Sequence, residues 1–237
     1  MLDSRPRTSV SCTIARDDVL RMLGHAGQPL EQGLVQRIDE LSVACAQGFP
    51  ALYEWKRLPI ACVREKAVVL GDSGGLVLSG SSIVSCLDGA RSAVLMACTL
   101  GAAADREIQR LGAVSALDGA IFSACANVAI ESAAEAVQAD VAAAAAAEGF
   151  VARMRFSPGY GDLPLDVQPR LLDVLDARRG IGLTVNESLL MVPTKSITAV
   201  IGLFDEGALL GDVSPCASCA SRDYCSYLSR GVTCHGR

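Results

Sequence analysis

Apolar positions recur at helical spacing near the N-terminus and at strand spacing after it. Residues 15–24 and 30–47 predict two helices, because apolar side chains return every three or four positions in both segments. Residues 51–63 then become aromatic and β-branched, and apolar runs at 66–70 and 76–78 flank a glycine-rich turn. This pattern predicts a strand followed by a hairpin.

Helices and buried strands alternate in the second half of the chain. The apolar run at 91–99 predicts a buried strand, and Asp166 is predicted to cap a helix that tolerates Pro169 in its first turn and ends near Gly180. A short strand is predicted at 181–184, and residues 197–204, apolar on both faces, predict a central strand. The order favours an α+β fold over a doubly wound parallel sheet.

Residues 114–147 predict one long helix with two carboxylates on its apolar side. At about 100° per residue, Glu131 and Glu135 fall on the stripe formed by Leu117, Ile121, Ala124 and Val128. A buried pair of like charges needs compensating partners. Two interpretations stay open: the stripe emerges into solvent after Val128, or the two glutamates line a ligand cleft.

Residues 155–162, with the sequence RFSPGYGD, combine a cation, a rigid turn and a phenol in one short loop. Pro158 fixes its own φ, Gly159 can adopt positive φ and expose backbone N–H groups, and Arg155 offers a planar donor fork suited to a carboxylate or phosphate. The pattern is compatible with a surface turn and with a ligand-binding loop.

This loop resembles the activation (reactivation) domain of cobalamin-dependent methionine synthase, the module that binds S-adenosylmethionine. Arg155, Gly159 and Tyr160 fill that family's Arg-x-x-x-Gly-Tyr motif. A second block resembles the family's Leu-Thr-Glu-Ser…Met-x-Pro…Ser segment, with two residues inserted after the threonine; its members are Leu183, Thr184, Glu187, Ser188, Met191, Pro193 and Ser196. The resemblance covers roughly the second half of the chain and the helix before it.

The resemblance implies a fold and a set of site residues. The expected fold is α+β, with a mainly antiparallel bent sheet, flanking helices, N-terminal helices and a small cysteine-rich tail. Arg155 is expected to bind the carboxylate of the methionine moiety, the backbone around Ser157 and Gly159 to contact the adenosyl part, and Tyr160 to face the corrinoid. The family also carries an acidic i,i+4 pair near the ligand cleft, which corresponds here to Glu131 and Glu135.

The resemblance also implies a function for a stand-alone module. Such a module binds S-adenosylmethionine and supports reductive remethylation of cobalamin on a partner, either the cobalamin-binding domain of methionine synthase or another corrinoid protein. A flavodoxin- or ferredoxin-type reductase is a further expected partner. The protein is then a component of a methyltransferase system and not an independent catalyst.

Composition restricts partners and location. The 237 residues carry a net charge of −5 with scattered lysines and arginines, which argues against nucleic acid as a partner. No leader-like apolar segment opens the chain, and no uncharged run reaches the roughly 18–20 residues that a bilayer span requires. We expect a cytoplasmic protein that does not enter a membrane. Six single cysteines resemble reduced core thiols: Cys12, Cys45, Cys62, Cys86, Cys98 and Cys125.

Four more cysteines crowd the C-terminus and predict a metal site: Cys216, Cys219, Cys225 and Cys234. Four thiolates permit zinc or an iron–sulfur (4Fe–4S) cluster, and their spacing does not decide between the two. The low-potential electron needed to reduce a corrinoid favours the cluster. Two disulfides are the remaining alternative, which a reducing cytosol disfavours.

The sequence divides into three predicted units. Residues 1–50 form a helical segment packed on the main domain, residues 51–206 form the core that binds S-adenosylmethionine, and residues 207–237 form a linker and the cysteine tail. Two alternative functions remain, namely an iron–sulfur electron-transfer protein that activates a corrinoid, and a zinc-stapled interaction module without ligand.

Overall fold

The computed structural model describes residues 4–72, 75–207 and 222–224. The strands are β1 (Ser4–Val10), β2 (Ala51–Arg64), β3 (Ala67–Leu70), β4 (Leu76–Ser79), β5 (Ser92–Thr99), β6 (Phe150–Ala152), β7 (Thr184–Val185), β8 (Met191–Val192) and β9 (Ser196–Asp205). The helices are α1 (Arg16–Met22), α2 (Gln32–Gly48), α3 (Ser81–Leu87), α4 (Ala102–Val114), α5 (Ala116–Ala146), α6 (Gln168–Val174) and α7 (Ala177–Gly180), and a 3-10 turn spans Leu165–Val167. The four tail cysteines, Cys216, Cys219, Cys225 and Cys234, lie outside the described residues.

One antiparallel sheet organises the fold. Its strand order is β4-β3-β2-β5-β9-β6, and β1 also pairs with β2. The long strand β2 pairs with β5 from Leu52 to Pro59 and with β3 from Ile60 to Arg64, so it joins the hairpin to the main sheet. A separate two-stranded sheet pairs β7 with β8. The predicted α+β class, with a mainly antiparallel sheet and flanking helices, is confirmed.

The sheet separates two hydrophobic cores. Successive side chains of β5 alternate between them: Val94, Met96 and Cys98 join the core beneath α1, α2, α4 and α5, and Ala93, Leu95 and Ala97 join the core beneath α3 and α6. Every residue of β5 is buried, as is nearly all of β9. The apolar runs at 91–99 and 197–204 therefore predict these two strands correctly, because a strand buried on both faces loses the alternation of a half-exposed one.

Helix α5 is the long core helix. Among the described residues it is the one helix long and apolar enough to cross a membrane, and 61% of its most apolar window is buried inside the fold. The preceding helix α4 ends at Val114, and Ser115 is the one residue between the two helices. The hydroxyl of Ser115 caps α5 by accepting a hydrogen bond from the Asp118 N–H. The single helix predicted over 114–147 therefore corresponds to α5, which begins two residues later than predicted.

Four local predictions differ from the structure. Strand β1 occupies part of the segment predicted to be helical. Asp166 does not cap α6, which begins from the 3-10 turn, although Pro169 does lie in its first turn. Asp176 adopts a left-handed conformation and divides the predicted helix into α6 and α7. The strand predicted at 181–184 begins only at Thr184, because its partner β8 ends at Val192 and pairs with Thr184 and Val185 alone.

The predicted stripe on α5 is wrong at its start, and after Val128 it emerges into solvent, which is the first of the two interpretations left open by the sequence. Leu117 is 57% exposed, whereas Ile121 is fully buried. Glu131 and Glu135 are exposed, and the buried positions beside them are Ala133, Ala134 and Val137. The first half of α5 is buried nearly all round, because it packs against α2 and α4 as well as the sheet, so the buried side of the second half is not a continuation of one stripe.

Candidate ligand site

Arg155 lies beside the sheet with its side chain enclosed. The next residue, Phe156, exchanges two backbone hydrogen bonds of 2.8 Å with Val200 of β9, which fixes the start of the loop. Arg155 Nη2 donates to Glu131 Oε2 at 2.7 Å, and the Arg155 N–H donates to Gln138 Oε1 of α5 at 3.2 Å. The Arg155 side chain is 11% exposed and that of Glu131 is 48% exposed. The pair therefore presents its carboxylate to solvent and keeps its guanidinium enclosed.

The turn after Arg155 satisfies its own backbone. Gly159 adopts a φ of 91°, and its N–H donates to the Leu163 carbonyl at 2.8 Å. The Tyr160 N–H donates to the Ser157 carbonyl at 3.1 Å. The expectation that this turn exposes free N–H groups to a ligand is therefore wrong for Gly159 and Tyr160. What the turn exposes is the Tyr160 side chain, which is 59% accessible.

Asp162 fastens this loop to the start of α3. Its Oδ2 accepts from the hydroxyl of Ser81 at 2.6 Å and from the Ser81 N–H at 2.7 Å, and its Oδ1 accepts from the Ser82 N–H at 2.8 Å. These hydrogen bonds, led by the one from the Ser81 hydroxyl, hold the pKa of Asp162 well below its ordinary value. The loop therefore depends on a charged Asp162.

The hold of Asp162 on α3 makes stability depend on acid pH. Because the folded pKa lies below the unfolded value of about 4, the stabilisation is complete above that pH and is lost as pH falls through the folded pKa. We expect Asp162→Asn to lower the midpoint temperature of thermal unfolding at pH 7. The difference in midpoint between the variant and the parent protein should become smaller as the pH falls from about 4 to about 2.

Circular dichroism melts across this pH range test the prediction. Asp166→Asn is the matched control, since Asp166 is an exposed carboxylate four residues away. A difference that stays constant with pH, or one that the control reproduces, would contradict it.

A groove of about 290 Å³ lies next to the Arg155–Glu131 pair. We call it the Lys195 groove; it is lined by Met22, Asn127, Ile130, Glu131, Thr194, Lys195, Ser196 and Ile197. Glu131 belongs both to the groove and to the ion pair, so the motif loop and the Met191–Ser196 block meet at α5. Two separate motifs of the sequence are thus brought to one surface.

Hydrogen bonds fix the Lys195 side of the groove. Lys195 Nζ donates to Asn127 Oδ1 at 2.7 Å and to Ser123 Oγ at 3.0 Å. Asp105 of α4 accepts from the N–H and the hydroxyl of Thr194. On the sheet side, Ser196 Oγ lies 2.7 Å from Thr99 Oγ1 and 2.8 Å from the Pro193 carbonyl oxygen. The segment is held from both sides before any ligand arrives.

Some predicted site residues come together and others do not. Arg155 contacts Glu131, whereas Glu135 is exposed one turn further along α5 and does not line the groove. Sequence analysis missed Lys195 and Asn127. The signal for Lys195 was a lone cation inside the Met191–Ser196 block, and Asn127 lies one helical turn before Glu131 on α5.

The cysteines of the described residues do not form a metal site. Within the described ranges no group of three or more His, Cys, Asp or Glu side chains is arranged to hold a metal ion. Burial raises the pKa of Cys45 and Cys98 to about 12, which keeps both as neutral thiols. Cys62 is exposed and departs from the expected core position. The predicted metal ligands at positions 216–234 lie outside the described residues.

A larger open depression of about 640 Å³ lies on α6 and α7, and no residue of either motif lines it. It is lined by Leu172, Asp173, Asp176, Arg178 and Arg179. The charged side chains along it are exposed. The meeting of two motifs, and not cavity size, therefore selects the Lys195 groove as the candidate site.

Comparison with known proteins finds similarity at the level of the fold. No protein-family model matches the chain, and no curated protein matches its sequence. Among solved structures, the chain is similar to the MetH reactivation domain bound to AdoHcy, with a TM-score of 0.66 and 13% identity over 85% of this chain and 78% of that one. The α+β architecture described above is the fold of that reactivation domain.

Proposed function

We propose that this protein binds S-adenosylmethionine and its demethylated product, S-adenosylhomocysteine, and supports remethylation of cobalamin held by a separate corrinoid protein. The observation that carries the proposal is the Arg155–Glu131 pair, in a fold that binds AdoHcy in its solved relative. An α-amino acid end carries one carboxylate and one ammonium. The pair offers the positive charge of Arg155 to the carboxylate and the negative charge of Glu131 to the ammonium.

Arg155 and Glu131 have the chemistry to receive the amino-acid end of the ligand. A guanidinium fork makes two parallel charge-assisted hydrogen bonds to a carboxylate, and a glutamate accepts from an ammonium. Because Arg155 is 11% exposed, a ligand carboxylate that replaces Glu131 on it would enter a partly desolvated position. Glu131, nearly half exposed, can then turn to the ligand ammonium without crossing the core.

The position of the other loop residues suggests which part of the ligand or partner each one contacts. We propose that the backbone around Ser157 and Gly159 lies against the adenosyl part and that the exposed phenol of Tyr160 faces the corrinoid. Glu135, exposed one turn beyond Glu131, supplies negative charge at the same end of α5. The ligand supplies an electrophilic sulfonium methyl group, so the protein's task is to bind and orient it, and a general base of its own is not required.

The partners follow from this role. They are the cobalamin-binding domain of methionine synthase or another corrinoid protein, with a flavodoxin- or ferredoxin-type reductase as electron source, in the cytoplasm. The four-cysteine tail would hold zinc or an iron–sulfur cluster. Metal analysis and the visible spectrum of anaerobically purified protein separate these two, since only a cluster absorbs in the visible range.

Isothermal calorimetry with S-adenosylmethionine and S-adenosylhomocysteine tests the central proposal. We expect one binding site, micromolar or tighter, for both ligands. A folded protein that binds neither ligand at millimolar concentration would overturn the proposed function, since that limit corresponds to about 4 kcal/mol of binding free energy.

Glu131→Gln should weaken the binding of the sulfonium ligand, S-adenosylmethionine, more than that of the thioether ligand, S-adenosylhomocysteine. The substitution removes a negative charge beside the ligand, and only S-adenosylmethionine carries the additional positive charge on sulfur. Because Glu131 is nearly half exposed, we expect a modest additional loss of about three- to tenfold for S-adenosylmethionine, or roughly 1 kcal/mol.

Calorimetry with both ligands measures this difference. Glu65→Gln is the matched control, an exposed glutamate in the β2–β3 turn outside the groove lining. Equal losses for both ligands in Glu131→Gln would mean that Glu131 acts on the ammonium that both ligands share and not on the sulfonium charge.

A further inference from the structure

Lys195 is a half-buried cation whose hydrogen-bond partners are neutral. Its ammonium donates to the amide oxygen of Asn127 and the hydroxyl oxygen of Ser123. Within the described part of the chain, no carboxylate lies within 4 Å of Lys195, whereas Arg155 has Glu131 at 2.7 Å. A lysine ammonium has three donors, so one remains for a further acceptor.

The acidic side chains near Lys195 form hydrogen bonds with other residues. Asp105 is close enough to favour the charged form of Lys195, but its two oxygens accept from the N–H and the hydroxyl of Thr194. Glu131, on the next turn of α5 after Asn127, is paired with Arg155. Burial lowers the pKa of Lys195, so the charged form lacks full compensation in the protein alone. An anion in the groove would provide it.

The groove sets the size and character of that anion. Its volume of about 290 Å³ suits part of a small molecule, with Met22, Ile130 and Ile197 as apolar contacts and Ser196 as a polar one. Asn127 and Glu131 are four residues apart on α5, so their side chains lie about 5–6 Å apart on one helix face. Lys195 lines the groove and binds Asn127, and Arg155 binds Glu131, so both cations contact the same face of α5 at adjacent turns.

We propose that Lys195 is a second contact for the carboxylate of the bound amino-acid end, acting beside Arg155 while Glu131 accepts the ammonium. This inference rests on the proposed function and adds a specificity residue to it. With Lys195 and Arg155 on the carboxylate and Glu131 on the ammonium, the groove selects an α-amino acid group over an amine that lacks the carboxylate.

The test compares two ligands in calorimetry: S-adenosylhomocysteine and its analogue that lacks the carboxylate but keeps the ammonium. Lys195→Met keeps the length and apolar stem of the side chain and removes the charge. We expect Lys195→Met to lower the affinity for S-adenosylhomocysteine at least tenfold and to leave the affinity for the analogue within about twofold of the parent protein's. Lys195→Arg should recover part of the loss. Lys66→Met is the matched control, since Lys66 is exposed in the β2–β3 turn.

The two ligands separate recognition of the carboxylate from a structural role of Lys195. If Lys195 only fastens the β9 end to α5, Lys195→Met lowers the affinity of both ligands equally, and the inference is overturned. A loss of less than threefold for S-adenosylhomocysteine overturns it as well and leaves the proposed function standing. If the parent protein binds neither ligand, the proposed function fails and this inference fails with it.

Discussion

Replacing Arg155 by alanine will weaken S-adenosylhomocysteine binding at least thirtyfold, measured by calorimetry on protein with an unchanged thermal transition. The reason is the enclosure of the guanidinium: its side chain is 11% exposed, so a ligand carboxylate on it forms a partly desolvated charge pair. Removing one partner of such a pair costs about 2–5 kcal/mol, whereas an exposed pair costs well under 1 kcal/mol. Thirtyfold corresponds to about 2 kcal/mol.

Two further variants define what the loss at Arg155 means. Arg155→Lys keeps the charge but replaces a planar fork by a point donor, so we expect it to lose affinity too, though less than alanine. Arg170→Ala is the matched control, since Arg170 is exposed on α6 with only a 3.9 Å contact to Asp173. If folded Arg155→Ala binds within about threefold of the parent protein, the ligand carboxylate does not lie on Arg155.

Strands that are buried on both faces could be predicted from the sequence alone. Apolar runs at 91–99 and 197–204 correspond to β5 and β9, because the two strands pair with each other at the centre of the sheet and every side chain meets one of the two cores. The hairpin of β3 and β4 was also predicted, since a glycine-rich turn between two short apolar runs is a local signal. Both signals, the apolar run and the glycine-rich turn, are contained in consecutive residues of the sequence.

The position of the glutamates could not be predicted in the same way. A helical stripe assumes one buried face, but α5 meets different neighbours along its length: Arg37 of α2 binds Asp118 near its start, and Arg155 N–H binds Gln138 near its end. The side of the helix that is buried therefore changes between Ile121 and Val137. This change is a property of the tertiary arrangement and is absent from the periodicity.

The candidate site was predicted in part, for a related reason. The resemblance implies one cleft for Arg155 and Glu131, but their direct 2.7 Å contact joins residues 24 positions apart and could not be predicted. Lys195 was missed because its significance depends on two oxygens of α5, at Ser123 and Asn127, about 70 positions earlier in the chain. Likewise, the N–H of Gly159 was expected to be free because its acceptor, the Leu163 carbonyl, is invisible in the residue types alone.

Ile121→Ala will lower the free energy of unfolding by about 2–5 kcal/mol, measured by urea denaturation with the slope held common to the parent protein. Ile121 is fully buried in the core between the sheet and the helices, so truncation removes apolar contacts and leaves a cavity. Leu117→Ala is the matched control one turn earlier on α5. Leu117 lies on the same predicted stripe but is 57% exposed, so we expect its loss to stay within about 0.5 kcal/mol.

The comparison of Ile121 with Leu117 decides between the periodicity of α5 and its observed packing. If the stripe were the buried face throughout, both truncations would cost several kcal/mol, since each removes a branched aliphatic side chain of the same volume from the same helix. If α5 is buried by its neighbours as described, the two costs differ by at least about 1.5 kcal/mol, because exposed truncations leave no cavity. Equal losses would place Leu117 in a contact that the structure lacks. A small loss at Ile121 would mean that the core around it closes over the cavity, which close packing against Phe122 and Cys125 makes costly.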